Sequence, residues 1–472
     1  MKSCDVAIIG AGSAGLSARR EVARETDDYV VIDDGPLGTT CARVGCMPSK
    51  VLIQAAEDFG RREHFDQLGI RGGEGLSLDS RQTMNHVRQL RDRFVGGVMK
   101  GMEEWRDTHL MRGRARFVDG NTLDVDGERI RAGRVVIATG SRPVIPGAWE
   151  AHREYFLDSD NIFEQEVLPE RLGVVGLGVI GLELGQALHN LGVGVTAYTL
   201  DKRFGGLSDP ELQEYAAGYF SSRFPVKFKG VDRLERSDTG LVVHAGDEAT
   251  EVDRLLLAMG RRPNVDDMGL ENIGVELDDK GMPPFERDTL RIPDTSVFIA
   301  GDVTGDHPVL HEAADEGRIV GYNAVQSSDH CFRRRQGLTI TFSSPNIAIV
   351  GRSHESLVRD GAAFETGKVS YEGQGRALVM LENKGLLHVY GDRETGRLLG
   401  AEIMAPRGEH MAHLLSWSLA AGITAHQALS MPFYHPVVEE GLRTALRDLA
   451  KKVEGKRTPL ELMRCEDPPI GG

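Results

Sequence analysis

Two cysteines five positions apart, in Cys41-Ala42-Arg43-Val44-Gly45-Cys46, are the side chains of this sequence best suited to covalent redox chemistry. A regular helix would separate them by about 7.5 Å of rise, beyond the roughly 6.8 Å reach of a disulfide, so the pair must straddle a turn or a distorted helix start. Gly45 and Pro48 supply that irregularity, and a thiol near a helix N-terminus has a lowered pKa. The remaining cysteines, Cys4, Cys331 and Cys465, are too scattered for a secreted disulfide framework. Zinc would require a second Cys/His pair of similar spacing; none follows, and no metal site is expected. A second candidate is His435, followed by Pro436 and then Glu440. Proline biases His435 away from helix and is itself well placed to begin one, so the imidazole is expected just ahead of the helix carrying Glu440.

The elements that must position these groups are marked by glycine. Val6-Ala7-Ile8-Ile9 leads into Gly10-Ala11-Gly12-Ser13-Ala14-Gly15 and a helical pattern over Leu16 to Arg24, the strand, turn and helix of a dinucleotide fold. Asp33 closes the apolar run Tyr29 to Ile32, where a carboxylate accepts from a ribose hydroxyl. A second copy follows in Gly173-Val174-Val175, Gly176-Leu177-Gly178-Val179-Ile180-Gly181, a helix over Leu182 to Leu191 and a strand over Gly194 to Tyr198. Two dinucleotides are implied. Thr199 stands where the second acid belongs, with Asp201, Lys202 and Arg203 just beyond, and this leaves NAD and NADP both open.

At 472 residues the chain exceeds one ordinary core, and about three units are expected. A first stretch, 1 to about 145, holds the first fingerprint, the cysteine pair, an amphipathic helical region from Ser49 to Trp105 and a strand running into Gly140. A second, 146 to 268, repeats the plan and closes at Gly260; a third, 269 to 336, contains the buried strand Val297 to Ile299 and then Asp302. From 337 to 472 the texture changes to strands (Leu338 to Phe342, Ala377 to Leu381, Leu387 to Tyr390) followed by helices, a separate α+β unit with an irregular tail from about Lys451. The class is α/β, two Rossmann-like domains plus this C-terminal unit. A net charge of −15 disfavours nucleic acid as a partner. Arg333-Arg334-Arg335 reads as a solvated linker rather than a docking patch. No apolar stretch approaches a membrane span and no signal peptide opens the chain, so a cytoplasmic protein is expected.

Thr40-Cys41 through Cys46-Met47-Pro48-Ser49-Lys50, placed after the first fingerprint, resembles the redox motif of class I pyridine nucleotide-disulfide oxidoreductases. The Pro-Ser-Lys ending is most similar to that of dihydrolipoyl dehydrogenases. The resemblance extends through Ala138-Thr139-Gly140-Ser141-Arg142-Pro143, Ile180-Gly181-Leu182-Glu183, Gly260-Arg261-Arg262-Pro263-Asn264, Ala300-Gly301-Asp302 and His435-Pro436 with Glu440. It implies FAD on Gly10, Gly12, Gly15, Asp33, Thr40, Lys50, Ala115, Gly140, Asp302 and Leu310, and NAD(P) on Gly176, Gly178, Gly181, Thr199 and Gly260. It further implies Cys46 as the thiol next to the flavin, Cys41 as the one exchanging with substrate, and Lys50 paired with Glu183 beside the isoalloxazine. His435, oriented by Glu440, would be the acid and base, reaching the site of a partner subunit through a C-terminal dimerisation domain.

Departures from the family pattern gather at the disulfide entrance: Thr39 in place of glycine, Ala42-Arg43 in place of an apolar residue and Asn, Phe433-Tyr434 in place of His-Ala, and Val437 in place of Thr. They leave the electron path intact and the thiol substrate undefined. The expected function is dihydrolipoyl dehydrogenase activity on a free or protein-bound lipoyl dithiol. The alternatives are an NADPH-dependent reductase of another disulfide, a simple NADH dehydrogenase or transhydrogenase, and a flavin-bound scaffold of a lipoyl-bearing complex. Mercuric reductases and some thioredoxin reductases carry a C-terminal cysteine pair; the lone Cys465 argues against both and reads as incidental.

Overall fold

The computed structural model describes residues 1–453 and 460–465. Its first sheet is parallel at the centre: β1 (Lys2–Ile9) lies between β2 (Tyr29–Asp33) and Glu128–Ile137, and Val297–Ile299 pairs with the latter. Strands covered on both faces need continuous apolar runs, and Val6 to Ile9 are all buried. The second sheet is a shorter parallel copy, in the order Val226–Lys227, Gly194–Tyr198, Arg171–Val175, Arg254–Leu257, Phe156–Leu157.

The duplication reaches individual atoms. Gly10 N donates to Ile32 O at 2.7 Å and Gly176 N to Tyr198 O at 2.8 Å; Ala138 N donates to Ile9 O at 2.8 Å and Ala258 N to Val175 O at 2.9 Å. Gly10 and Gly176 both have positive φ, and a Cβ on Gly15 or Gly181 would lie 1.8 or 1.9 Å from the carbonyl oxygen of Gly10 or Gly176. Only glycine permits these two turns.

The third sheet is antiparallel, in the order Leu338–Thr341, Asn346–Gly351, Leu398–Ala405, Leu386–Asp392, Phe364–Ser370. Ala377 to Leu381, expected as a strand, is instead most of a short helix, Gly375–Met380, capped by the Gln374 side chain accepting from Ala377 N at 2.7 Å. Leu378 and Val379 face outward, so the apolar run that suggested a strand is a surface feature.

Other boundaries also shift. The two dinucleotide-binding helices, α1 (Ser13–Val22) and Val179–Asn190, start three residues before their apolar patterns. The helical region after the cysteines breaks between Gly60 and α4 (Ser80–Lys100) into short 3₁₀ turns and loop. The last helix, Glu440–Lys452, runs one residue past the expected start of the tail. Residues 460–465 carry no helix or strand, although Glu461 bonds Arg443 and Arg447; Pro459, Pro468 and Pro469 lie outside the described residues. The arginine run is not simply solvated. Arg334 bridges Glu312 and Glu316 at 2.7 and 2.8 Å and Arg335 reaches Asp315 at 2.7 Å, stitching the linker to the helix Leu310–Ala324.

Glu402, fully buried in the third sheet, holds the second unit and the C-terminal unit together. It accepts from Ser208 N, Asp209 N and His354 N at 2.7, 2.9 and 2.9 Å and also from the Ser208 hydroxyl. Replacing it with leucine strands these donors, and a loss of about 3 kcal/mol is expected, read as a lowered thermal midpoint of the purified protein.

Candidate active site

A cavity of about 1010 Å³ runs along the carboxyl ends of the first sheet's strands, the usual place for a ligand in an open parallel sheet. Its wall includes Gly10, Gly12, Asp33, Thr40, Ala115, Gly140, Asp302 and Leu310, and it extends to Val179 and Ile180 at the start of the second fingerprint helix. Gly15 lies behind the wall, against Gly10.

The residues fit an FAD-sized dinucleotide. The N-terminus of α1 faces the cavity with no side-chain cap, leaving its amides for a pyrophosphate. Asp33 closes β2, accepting from Ala11 N at 2.7 Å and Gly35 N at 2.9 Å, and its side chain remains on the cavity wall. Burial pushes its carboxyl above the usual range, opposed by those amides and Arg112. Asp302 is raised by burial as well; it accepts from Ser141, which in turn accepts from Arg261 Nε at 2.9 Å. Ser141 and Arg261 lie within motifs quoted for the resemblance but were given no role there, and Arg112 gave no sequence signal.

The cysteine pair straddles a break between helices, as its spacing demands. Cys41 sits in the one-turn helix α2 (Thr40–Arg43), and Cys46 is the first residue of α3 (Cys46–Gly60), after Gly45. Both thiols are free and line the cavity. Cys41 donates to Cys46, and this bond is the largest cause pushing the Cys46 thiol down to about 7; Lys50 and the Cys46 backbone amide assist, while burial and Glu183 oppose. The same bond, with burial, drives the Cys41 thiol upward. One thiolate therefore persists at neutral pH. Alkylation of the reduced protein at Cys46 by iodoacetamide is expected to rise with pH through about 7 rather than 9, as followed by mass spectrometry, because only the thiolate reacts and it forms above the lowered pKa. A transition near 9 would contradict the pairing.

One turn along α3, Lys50 Nζ lies 2.8 Å from Glu183 Oε2 and 4.5 Å from the centre of the Phe342 ring. Glu183, buried on Val179–Asn190, accepts with its other oxygen from Phe342 N at 2.8 Å. Gln186 grips the same segment, exchanging bonds of 2.7 Å with Ser344 N and O. Phe342 and Gln186 were missed from sequence; the only hint was Gln186 standing three residues after Glu183 on one helix face.

His435 and Glu440 are brought together, with Nδ1 3.1 Å from each carboxylate oxygen, and this contact holds the Glu440 carboxyl below its usual range. Pro436 does not begin the helix. Residues 435–439 form turns and the helix starts at Glu440, whose carboxylate accepts from Val437 N. His435 is 80% exposed and neither it nor Glu440 lines the cavity, so one chain alone does not bring imidazole and thiols together. Gly176, Gly178, Thr199 and Gly260 cluster at the carboxyl edge of the second sheet, outside the cavity wall.

Two dinucleotide cradles built on one plan, with a thiol pair at the wall of the first, define a two-cofactor oxidoreductase. Residues 4–317 match the family described as pyridine nucleotide-disulphide oxidoreductase and residues 338–446 match its dimerisation domain. The chain belongs to that family, whose members bind FAD and use NAD(P). It is similar to a dihydrolipoyl dehydrogenase of Staphylococcus aureus, 30% identical over 454 residues covering 92% of this chain and 94% of that protein. It is also similar to a mercuric reductase of Staphylococcus aureus, 28% identical over 459 residues covering 95% and 83%. The fold is shared with LpdA from Mycobacterium tuberculosis, at TM-score 0.82 and 23% identity over 95% of this chain and 99% of that one. The Cu(II) complex of the HOCl-induced flavoprotein disulfide reductase RclA from Escherichia coli gives the same four figures. Among the described residues no helix is long and apolar enough to cross a membrane, and no three or more His, Cys, Asp or Glu side chains are grouped as a metal site would need.

Proposed function

We propose that this chain is a dihydrolipoyl dehydrogenase, oxidising a lipoyl dithiol through Cys41 and Cys46. The observation that carries the reading is the Cys46 thiol, pushed down to about 7 by Cys41 at the start of α3 and facing the same cavity as Lys50. In the oxidised protein a substrate thiolate attacks Cys41 Sγ; the Cys41–Cys46 bond breaks and Cys46 leaves as the stabilised thiolate. The second substrate thiol, its proton taken by His435, displaces Cys41 and closes the product disulfide, leaving the protein with two electrons and a dithiol. Bound FAD supplies two-electron transfer between this dithiol and the nicotinamide. Lys50, held by Glu183, keeps a positive charge beside the thiolate. His435 acts on the thiols of a second copy of the chain, since within one copy it is exposed and away from the cavity. The domain division proposed is that of the sequence, with 269–336 returning to the first sheet through Val297–Ile299.

Anaerobic titration with dihydrolipoamide, then NAD, tests the reading. Long-wavelength thiolate-to-flavin absorption should appear with about one equivalent of dithiol and vanish as NADH forms. A flavin that dithiol leaves oxidised would overturn it. An NADPH-dependent reductase of another disulfide is the second reading, permitted by Thr199 in place of an acid with Lys202 and Arg203 just beyond it; NADPH would then reduce the flavin and dihydrolipoamide would not.

A further inference from the structure

Where the strand Gly194–Tyr198 ends, dinucleotide folds place either a carboxylate that accepts from the ribose 2′-hydroxyl or cations that receive a 2′-phosphate. Thr199 occupies that point with its hydroxyl donating to Asp201 O at 3.0 Å, and Leu200 after it is 83% exposed and offers a phosphate no donor. Three nearby cations are already engaged. Lys202 pairs with Glu214 at 2.5 Å and Lys227 with Glu248. Arg203 gives both terminal nitrogens to Glu355, at 2.8 and 2.6 Å. That last pair differs in kind: it is bidentate, and it crosses from the second unit to the helix His354–Arg359 of the C-terminal one. Its two ends are fixed by backbone bonds, Arg203 N donating to Asp201 Oδ1 at 2.9 Å and Glu355 N to Ser208 Oγ at 3.1 Å.

We propose that Glu355 determines coenzyme choice by withholding Arg203 from a 2′-phosphate, which leaves a ribose site that takes NAD in preference to NADP. The proposal rests on the functional reading above only in requiring a nicotinamide coenzyme at the second fingerprint. Glu355 is a positioning residue: it acts through Arg203. A 2′-phosphate must displace a carboxylate from a forked pair and then share the space with it, two costs that a 2′-hydroxyl does not meet. The Glu355 side chain is half exposed, so the barrier is one of competition with a solvated pair rather than of a buried charge.

The test uses the holoenzyme with ferricyanide as acceptor, so that the identity of the dithiol does not enter. Wild-type kcat/KM should favour NADH over NADPH by about tenfold or more. Glu355→Gln and Glu355→Ala should lower the KM for NADPH by about five- to tenfold, with kcat and the NADH constants within about twofold, and the gain should shrink as salt is raised. Adding Arg203→Met should cancel it. Equal use of both coenzymes by the wild type, or an unchanged KM for NADPH in Glu355→Gln, would overturn the proposal. Failure of either coenzyme to reduce the flavin would overturn the oxidoreductase reading as well, so the two failures are distinct.

Discussion

Replacing Cys46 by serine is expected to reduce dihydrolipoamide-linked turnover by more than about 10³-fold while NADH-driven reduction of ferricyanide persists. A serine hydroxyl is neither ionised near neutral pH nor able to form the disulfide that accepts the dithiol's electrons, so the thiol half-reaction loses its chemistry. The coenzyme half-reaction does not pass through sulfur and is retained. Cys41→Ala differs: it removes the partner bond that is the largest cause lowering the Cys46 thiol, which should then rise toward its ordinary value. Stopped-flow spectra of both variants with each reductant make the comparison. Retained dithiol turnover in Cys46→Ser would remove the basis of the proposed function.

The second large effect belongs to His435. His435→Gln should slow dithiol oxidation by about 10²- to 10⁴-fold, the range of a positioned acid and base. Loss should be mirrored by Glu440→Gln to a smaller degree, because Glu440 orients the ring across 3.1 Å. A mixed dimer decides whose thiols the imidazole serves. Combining a Cys46→Ser chain with a His435→Gln chain places intact thiols of one opposite the intact imidazole of the other, and about half of wild-type turnover per dimer should return. If His435 served its own chain, the mixture would stay inactive.

Much of the site was readable because its constraints are local. The glycine turns, Asp33 closing β2 and the interrupted helix between Cys41 and Cys46 each follow from backbone requirements spanning a few residues. The class was readable for the same reason, since two such turns, each after a buried strand, leave few alternatives to paired parallel sheets. What escaped was set by distant segments. Nothing near Phe342 marks its amide as the partner of Glu183, 159 positions away, and nothing near Arg203 marks Glu355. Gly375–Met380 was misread because a short apolar run looks alike in a strand and in an exposed helix turn, and its Gln374 cap is a weak signal. Pro436 was misread because a proline's fixed φ suits turns as well as helix starts.

The double use of Glu183 ties electrochemistry to assembly. One of its oxygens steadies Lys50 and the other is occupied by an amide that comes from the start of the C-terminal unit. If that unit is exchanged for a relative's, or its docking is loosened, the carboxylate must find another donor, and the cation beside the redox thiols shifts with it. A chimera joining the two nucleotide-binding units to a foreign C-terminal unit would then have an altered midpoint potential even with every residue of the electron path retained.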